Sequence, residues 1–263
     1  MKRGSLPILF VVLIFCYSLA GLLYYLNDIF HTKDEIRNLE QLIQTRTKLS
    51  PDLAETEADV SEENKNPTNA PIQSEFRYLY EQNSDFIGWL SIDNTGVNYP
   101  VMQDPDGSDY YLEHDFQKEP SIHGLPFLDS KCDIRDSKAL MIHGHNMKTG
   151  LIFGELMNYK KESFYKDHPQ IRFHTLYEKE DYEIIAVILS KVYEKTDNDF
   201  RYYQLDNLQT PEGFDSYMEE IKQLALYPTG KTARFSDKLL ILSTCEYSTV
   251  NGRLAVIARK ILS

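Results

Sequence analysis

Leu239-Leu240-Ile241-Leu242-Ser243-Thr244-Cys245 carries the reading of this chain: four apolar residues, two small hydroxyl residues and a thiol. A run that short, bounded by Asp237-Lys238 and Glu246, fits a strand buried on both faces. Comparable runs recur with turn signals between them, at Trp89 to Ile92, Val97 to Met102, Leu125 to Leu128, Ala139 to Ile142, Ile171 to Leu176, Tyr182 to Val192 and Leu254 to Ile261. Their number and spacing predict a mainly β fold with helices, a barrel or sandwich, and not a doubly wound α/β sheet. Phe76, Leu79, Tyr80 and Phe86 predict a helix that ends before Gly88. A second helix is predicted over Pro211 to Leu226, in the connection that leads into the cysteine strand. Thr210 is its N-cap and Pro211 its first residue.

Upstream of these strands the composition changes twice. Leu6 to Leu26 is almost wholly apolar and about long enough to cross a bilayer, with Lys2 and Arg3 before it. The positive-inside bias then leaves the N-terminus in the cytoplasm and the rest outside. Ser18-Leu19-Ala20 offers a signal-peptide cleavage site, but the apolar run continues through Tyr25, which favours an uncleaved anchor. Ile36, Leu39, Leu42 and Ile43 predict a short amphipathic helix between His31 and Leu49. Ser50 to Pro71, rich in Glu, Asp, Asn, Pro and Thr, has the composition of a disordered linker. Three units follow: 1–27, cytoplasmic tip and anchor; 28–71, membrane-proximal helix and linker; and 72–263, an extracellular folded domain.

The chain has 263 residues, 42% of them hydrophobic, which is enough for one sizeable core. Its net charge of -12 argues against a nucleic-acid partner, because the clustered cations that a phosphate backbone requires are missing. The three cysteines, Cys16, Cys132 and Cys245, form no disulfide framework and no zinc-ligand spacing.

Taken singly, Cys245 reads as an inert buried thiol. A second apolar strand, Leu140-Met141-Ile142, runs out into His143-Gly144-His145-Asn146-Met147, so two strand ends offer a thiol and an imidazole. An imidazole beside a thiol stabilises the thiolate and returns a proton to a leaving amine. Either histidine can serve on this reading. No third ligand is spaced to make the pair a metal site. Arg253, eight residues after Cys245, returns across a short turn and can hydrogen-bond an oxygen that gains negative charge. Ser243, Thr244, Glu246 and Tyr247 border the thiol as candidate substrate-binding residues, and the aromatic loop Tyr193 to Asn207 is a candidate rim.

Leu242-Ser243-Thr244-Cys245 with Arg253, together with Gly144-His145-Asn146-Met147, resembles the active-site signature of sortases. Phe86-Ile87-Gly88-Trp89-Leu90, Tyr99-Pro100-Val101-Met102-Gln103, Tyr110-Tyr111-Leu112 and Gly124-Leu125-Pro126-Phe127-Leu128-Asp129 resemble the N-terminal half of the class B members. The resemblance implies an eight-stranded barrel with an N-terminal helix and a helix in the insertion before the cysteine strand. It also implies Cys245 as nucleophile, His145 as proton donor and acceptor, Arg253 as oxyanion stabiliser, and no metal or cofactor.

The implied activity is that of a cysteine transpeptidase, grouped with the thiol peptidases among the hydrolases. Such an enzyme cleaves a sorting motif of surface-protein precursors after threonine. It passes the acyl group to an amine of the peptidoglycan cross-bridge, on the outer membrane face of a Gram-positive cell. A pilin lysine as acceptor, a cysteine endopeptidase with water as acceptor, and a tethered adhesion or scaffold module with a structural Cys245 are the alternatives.

Overall fold

The computed structural model describes residues 5–53, 71–107, 109–194 and 196–261. Eight strands form: β1 (Phe86–Ser91), β2 (Asn98–Met102), β3 (Phe127–Leu128), β4 (Ala139–His143), β5 (Gln170–Thr175), β6 (Asp181–Lys191), β7 (Leu239–Cys245) and β8 (Gly252–Lys260). They close into a barrel in the order β1-β2-β3-β4-β7-β8-β6-β5. The alternative of an open sandwich is thereby excluded. The pairs β2/β3 and β4/β7 are parallel and the others antiparallel.

Continuous apolar runs appear where a strand is covered on both faces. Leu239 to Leu242 of β7 and Leu140 to Ile142 of β4 are all fully buried. Gly88 is required where β1 meets β5, because a Cβ there would lie 2.4 Å from the His174 carbonyl oxygen.

Four α-helices surround the barrel: α1 (Ser5–Leu53), α2 (Ser74–Gln82), α3 (Glu162–Asp167) and α4 (Pro211–Leu224). At α4 the Thr210 hydroxyl accepts the Gly213 N–H, and Pro211 occupies the first turn. Phe214, Tyr217 and Ile221 of α4 are buried, and the Tyr217 hydroxyl donates to the Tyr202 carbonyl at 2.7 Å. The helix thus pins the long β6–β7 connection to the barrel.

Two expectations change. The helix predicted through Phe86 ends at Gln82, and Phe86 instead opens β1 with its ring edge-on to Phe76 of α2. The apolar run and the amphipathic helix after it are one helix, α1, since no Gly or Pro lies between Leu22 and Ser50 to break it. At 49 residues α1 is about 74 Å long, well beyond a hydrocarbon core of about 30 Å. Residues 9–24 of it are exposed and almost wholly apolar, whereas Ile36 and Leu39 further along are buried in the hydrophobic core. It also runs into the segment expected to be linker as far as Leu53; the rest of that segment, residues 54–70, lies outside the described residues.

Leu240→Ala, at the centre of β7, is expected to cost about 2–5 kcal/mol, and Thr210→Ala about 1 kcal/mol. Chemical denaturation of the detergent-solubilised chain checks the ranking, with β7 much the more sensitive.

Candidate active site

Strand register brings the sequence-predicted residues together. Cys245 ends β7 directly opposite Arg253 of β8. On the other side β4 runs parallel to β7 with His143 level with Ser243, so His145 lies just past the strand end, beside the thiol strand. Cys245, His145 and Arg253 all line one groove of about 380 Å³, with His143, Asp129, Tyr202 and Tyr203 also in its wall.

Two hydrogen bonds clasp the residues that flank His145 to β7. Thr244 Oγ1 donates to the Gly144 carbonyl at 2.7 Å, and Asn146 Nδ2 donates to the Cys245 carbonyl at 2.8 Å. The Phe153 N–H completes the clasp on the His145 carbonyl at 2.9 Å. Gly144 has no alternative here, because a Cβ would approach the Phe153 ring to 2.8 Å. At the β7–β8 turn, a Cβ on Gly252 would meet the Glu246 carbonyl oxygen at 2.4 Å, so glycine sets the return that delivers Arg253.

The four flanking residues divide. Ser243 and Thr244 line the groove, but each is only 2% exposed and each hydroxyl is bound internally, Ser243 to Tyr202 at 2.7 Å and Thr244 to Gly144. Glu246 does not reach the groove. Its carboxylate turns inward to Lys160 Nζ at 2.5 Å and to Ser248, which hold it below the usual carboxylate range. It anchors the turn, since a buried charge needs such partners. Tyr247 stands outside the groove wall, 68% exposed, with its hydroxyl 3.5 Å from the Asn146 carbonyl.

The two histidines differ in surroundings. His143 Nε2 bonds Asp129 Oδ2 at 3.1 Å, and that bond is the main cause of a lowered Asp129 pKa. No side chain among the described residues hydrogen-bonds the His145 ring. Burial lowers the His145 pKa, more than the Leu112 carbonyl and the Glu113 charge raise it, and His123 adds to the lowering. A neutral imidazole near neutral pH follows. Arg253 meets no carboxylate among the described residues; its Nη1 donates to the Gly252 carbonyl at 3.0 Å. An unpaired guanidinium beside a thiol is available to an incoming oxyanion.

Sequence reasoning missed Asp129 and Asn146 as parts of the site, although both fall within quoted tracts. The candidate rim at Tyr193 to Asn207 narrows to Tyr202 and Tyr203 in the wall. Cys132 is a free thiol, buried beside the Ala139 carbonyl, and burial pushes it up to about 11. No disulfide pairs it with Cys245.

With this geometry established, the family profile described as "Sortase domain" matches residues 90–261. A protein of Listeria monocytogenes named Sortase B is 33% identical over 192 residues, covering 72% of this chain and 74% of its own length. Sortase B of Staphylococcus aureus is 27% identical over 98% of this chain and 97% of its own. The solved Staphylococcus aureus sortase B–substrate complex superposes with a TM-score of 0.70 at 26% identity, covering 88% of this chain and 98% of that one.

The His145 imidazole is expected to titrate below the ordinary value of about 6.5. Because the unfolded chain then binds the proton more readily, the stabilisation is present above about pH 6.5 and is lost as pH falls below it. A histidine NMR titration of the native chain checks the direction. Thr244→Val, which removes the clasp on Gly144, is expected to lower kcat more than it raises KM and to cost about 1 kcal/mol of stability.

Proposed function

This chain belongs to the sortase family, within class B, and is a cysteine transpeptidase; on that premise we propose that it cleaves surface-protein precursors at a sorting motif and joins them to an amine of the peptidoglycan cross-bridge. The observation that carries this reading is the convergence of Cys245, Arg253 and His145 on one groove, through the register of β7 with β8 and β4.

In the first step the Cys245 thiolate attacks the threonine's own carbonyl carbon in a motif similar to Asn-Pro-x-Thr. Its electrons move onto the carbonyl oxygen, and Arg253 donates hydrogen bonds to that oxygen. Collapse of this intermediate expels the downstream amine, which takes a proton from His145, and leaves a thioester on Cys245. In the second step the acceptor amine gives a proton to His145 and attacks the thioester, expelling the Cys245 thiolate and so restoring the thiolate–imidazolium pair. A lowered His145 pKa makes the thiolate–imidazolium form a minor species, so a bell-shaped pH profile is expected. Ser243 and Thr244 serve as groove wall, with their hydroxyls held inward, and Tyr247 as an outer rim.

The exposed apolar half of α1 supports a single-pass anchor over residues 1–27, with the barrel of 72–263 outside the cell. The described part of α1 beyond residue 27 then holds the groove near the bilayer, where newly exported precursors emerge. A free thiol at the groove and an unpaired guanidinium opposite it favour this enzyme reading over a scaffold with a structural cysteine.

Incubation of the purified chain with a sorting peptide and triglycine is expected to yield the peptide–triglycine ligation product. Hydrolysis alone, whatever amine is supplied, would establish the endopeptidase instead; ligation only to a pilin lysine would move the acceptor. Arg253→Lys is expected to lower kcat by roughly 10²–10³-fold, as for loss of an oxyanion donor. Cys245→Ala is expected to abolish turnover. Single-turnover peptide cleavage measures both.

A further inference from the structure

His31 and Glu35 stand four residues apart on α1 and so share one face of that helix. Asp115, in the loop after the 3₁₀ turn Tyr110–Leu112, meets them from the barrel side. One nitrogen or oxygen from each of the three lies within 4.8 Å of the other two. α1 also meets buried His123, which Asp28 contacts and Tyr25 stacks on, while Ile36 and Leu39 are buried in the hydrophobic core.

A second observation concerns charge. Both carboxylate oxygens of Glu35 are shut away from solvent, and neither has a side-chain hydrogen-bond partner or a counter-cation among the described residues. Asp115 is 6% exposed, with Oδ1 taken by the Gln117 and Glu119 N–H groups at 2.9 Å. No lysine or arginine pairs with either carboxylate among the described residues. Burial, reinforced by the Asp115 charge, pushes Glu35 up to about 7, although the nearby Gln117 and Phe116 N–H groups oppose the rise. A buried Asp115 and a half-buried Glu35 whose oxygens are sealed from solvent are costly without a counter-cation. An imidazole nitrogen of His31 lies within 4.8 Å of both carboxylates.

We propose that His31, Glu35 and Asp115 bind one zinc-class divalent cation that clamps α1 to the catalytic barrel. One imidazole and two carboxylates match the donors zinc takes, whereas calcium and magnesium prefer shells made of oxygen alone. Ligand atoms about 2 Å from a shared ion lie within about 4 Å of one another, so closure from 4.8 Å requires a side-chain shift of about 1 Å. A water completes the four-coordinate shell. The ion would neutralise Glu35 and fix the direction in which α1 leaves the barrel. Only one consequence, a set height of the groove above the bilayer, rests on the anchor reading given above.

The test uses the full chain in detergent micelles, stripped with a chelator and carrying Cys245→Ala so that the groove thiol does not compete. Zinc sulfate alone is the probe, read by metal analysis after desalting and by thermal melting. One zinc per chain and a raised melting temperature are expected, and both are expected to persist in His143→Ala, which removes a groove imidazole. Glu35→Gln is expected to weaken binding by more than roughly 100-fold, the upper range for lesser changes around a metal. His31→Ala acts alike, and because His31 is exposed this variant tests the site without disturbing the core. Failure of the parent to retain zinc, or undiminished zinc in either variant, overturns the proposal.

Discussion

The pairing of β7 with β4 on one side and β8 on the other is the constraint on which the site depends. Because side chains alternate along a strand, a slip of one residue would turn each functional group to the opposite face. Register therefore does for this groove what a cofactor does elsewhere: it fixes mutual placement before any ligand arrives. Opposed residues on antiparallel neighbours have Cα atoms about 4.5–5.5 Å apart, so the Cys245–Arg253 pairing brings thiol and guanidinium within reach of one carbonyl group. The barrel's apolar strands supply the rigidity. Leu239 to Leu242 and Leu254 to Ala258 are fully buried, and the groove opens where those runs stop.

His145 is held differently, since it lies beyond β4 and receives no ladder bond as a strand residue. The Thr244–Gly144 and Asn146–Cys245 bonds replace the ladder, each linking one neighbour of His145 to the strand of Cys245. The imidazole is thus positioned from the thiol's side. Its burial keeps it neutral, while the Leu112 carbonyl and Glu113 moderate that effect. The neutral imidazole is ready to accept a proton, and only its minor protonated form donates one.

Much of this was legible in the sequence because the signals are local. Short apolar runs announced all eight strands, and Thr210-Pro211 announced the start of α4. What escaped is non-local. Glu246 reads as a polar neighbour of the nucleophile, yet Lys160, far away in sequence, draws it inward. Asp129 became part of the groove only when β3 paired with β4 and brought it to His143. Phe86 has helical spacing from Phe76 and Leu79, but tertiary pairing with Met102 made it a strand residue. The continuity of α1 was readable from the lack of a breaker; the change from apolar to amphipathic composition obscured it, because composition reports surroundings and not backbone conformation.

The central claim is that Cys245 carries the acyl group between the two steps. Intact-protein and peptide-level mass spectrometry of the chain, trapped with a sorting-motif peptide and no acceptor amine, tests it most directly. The account predicts a thioester adduct on Cys245 whose mass retains the peptide through its threonine, and which disappears when an amine is added. An unmodified Cys245 in a chain that still cleaves the peptide would contradict it.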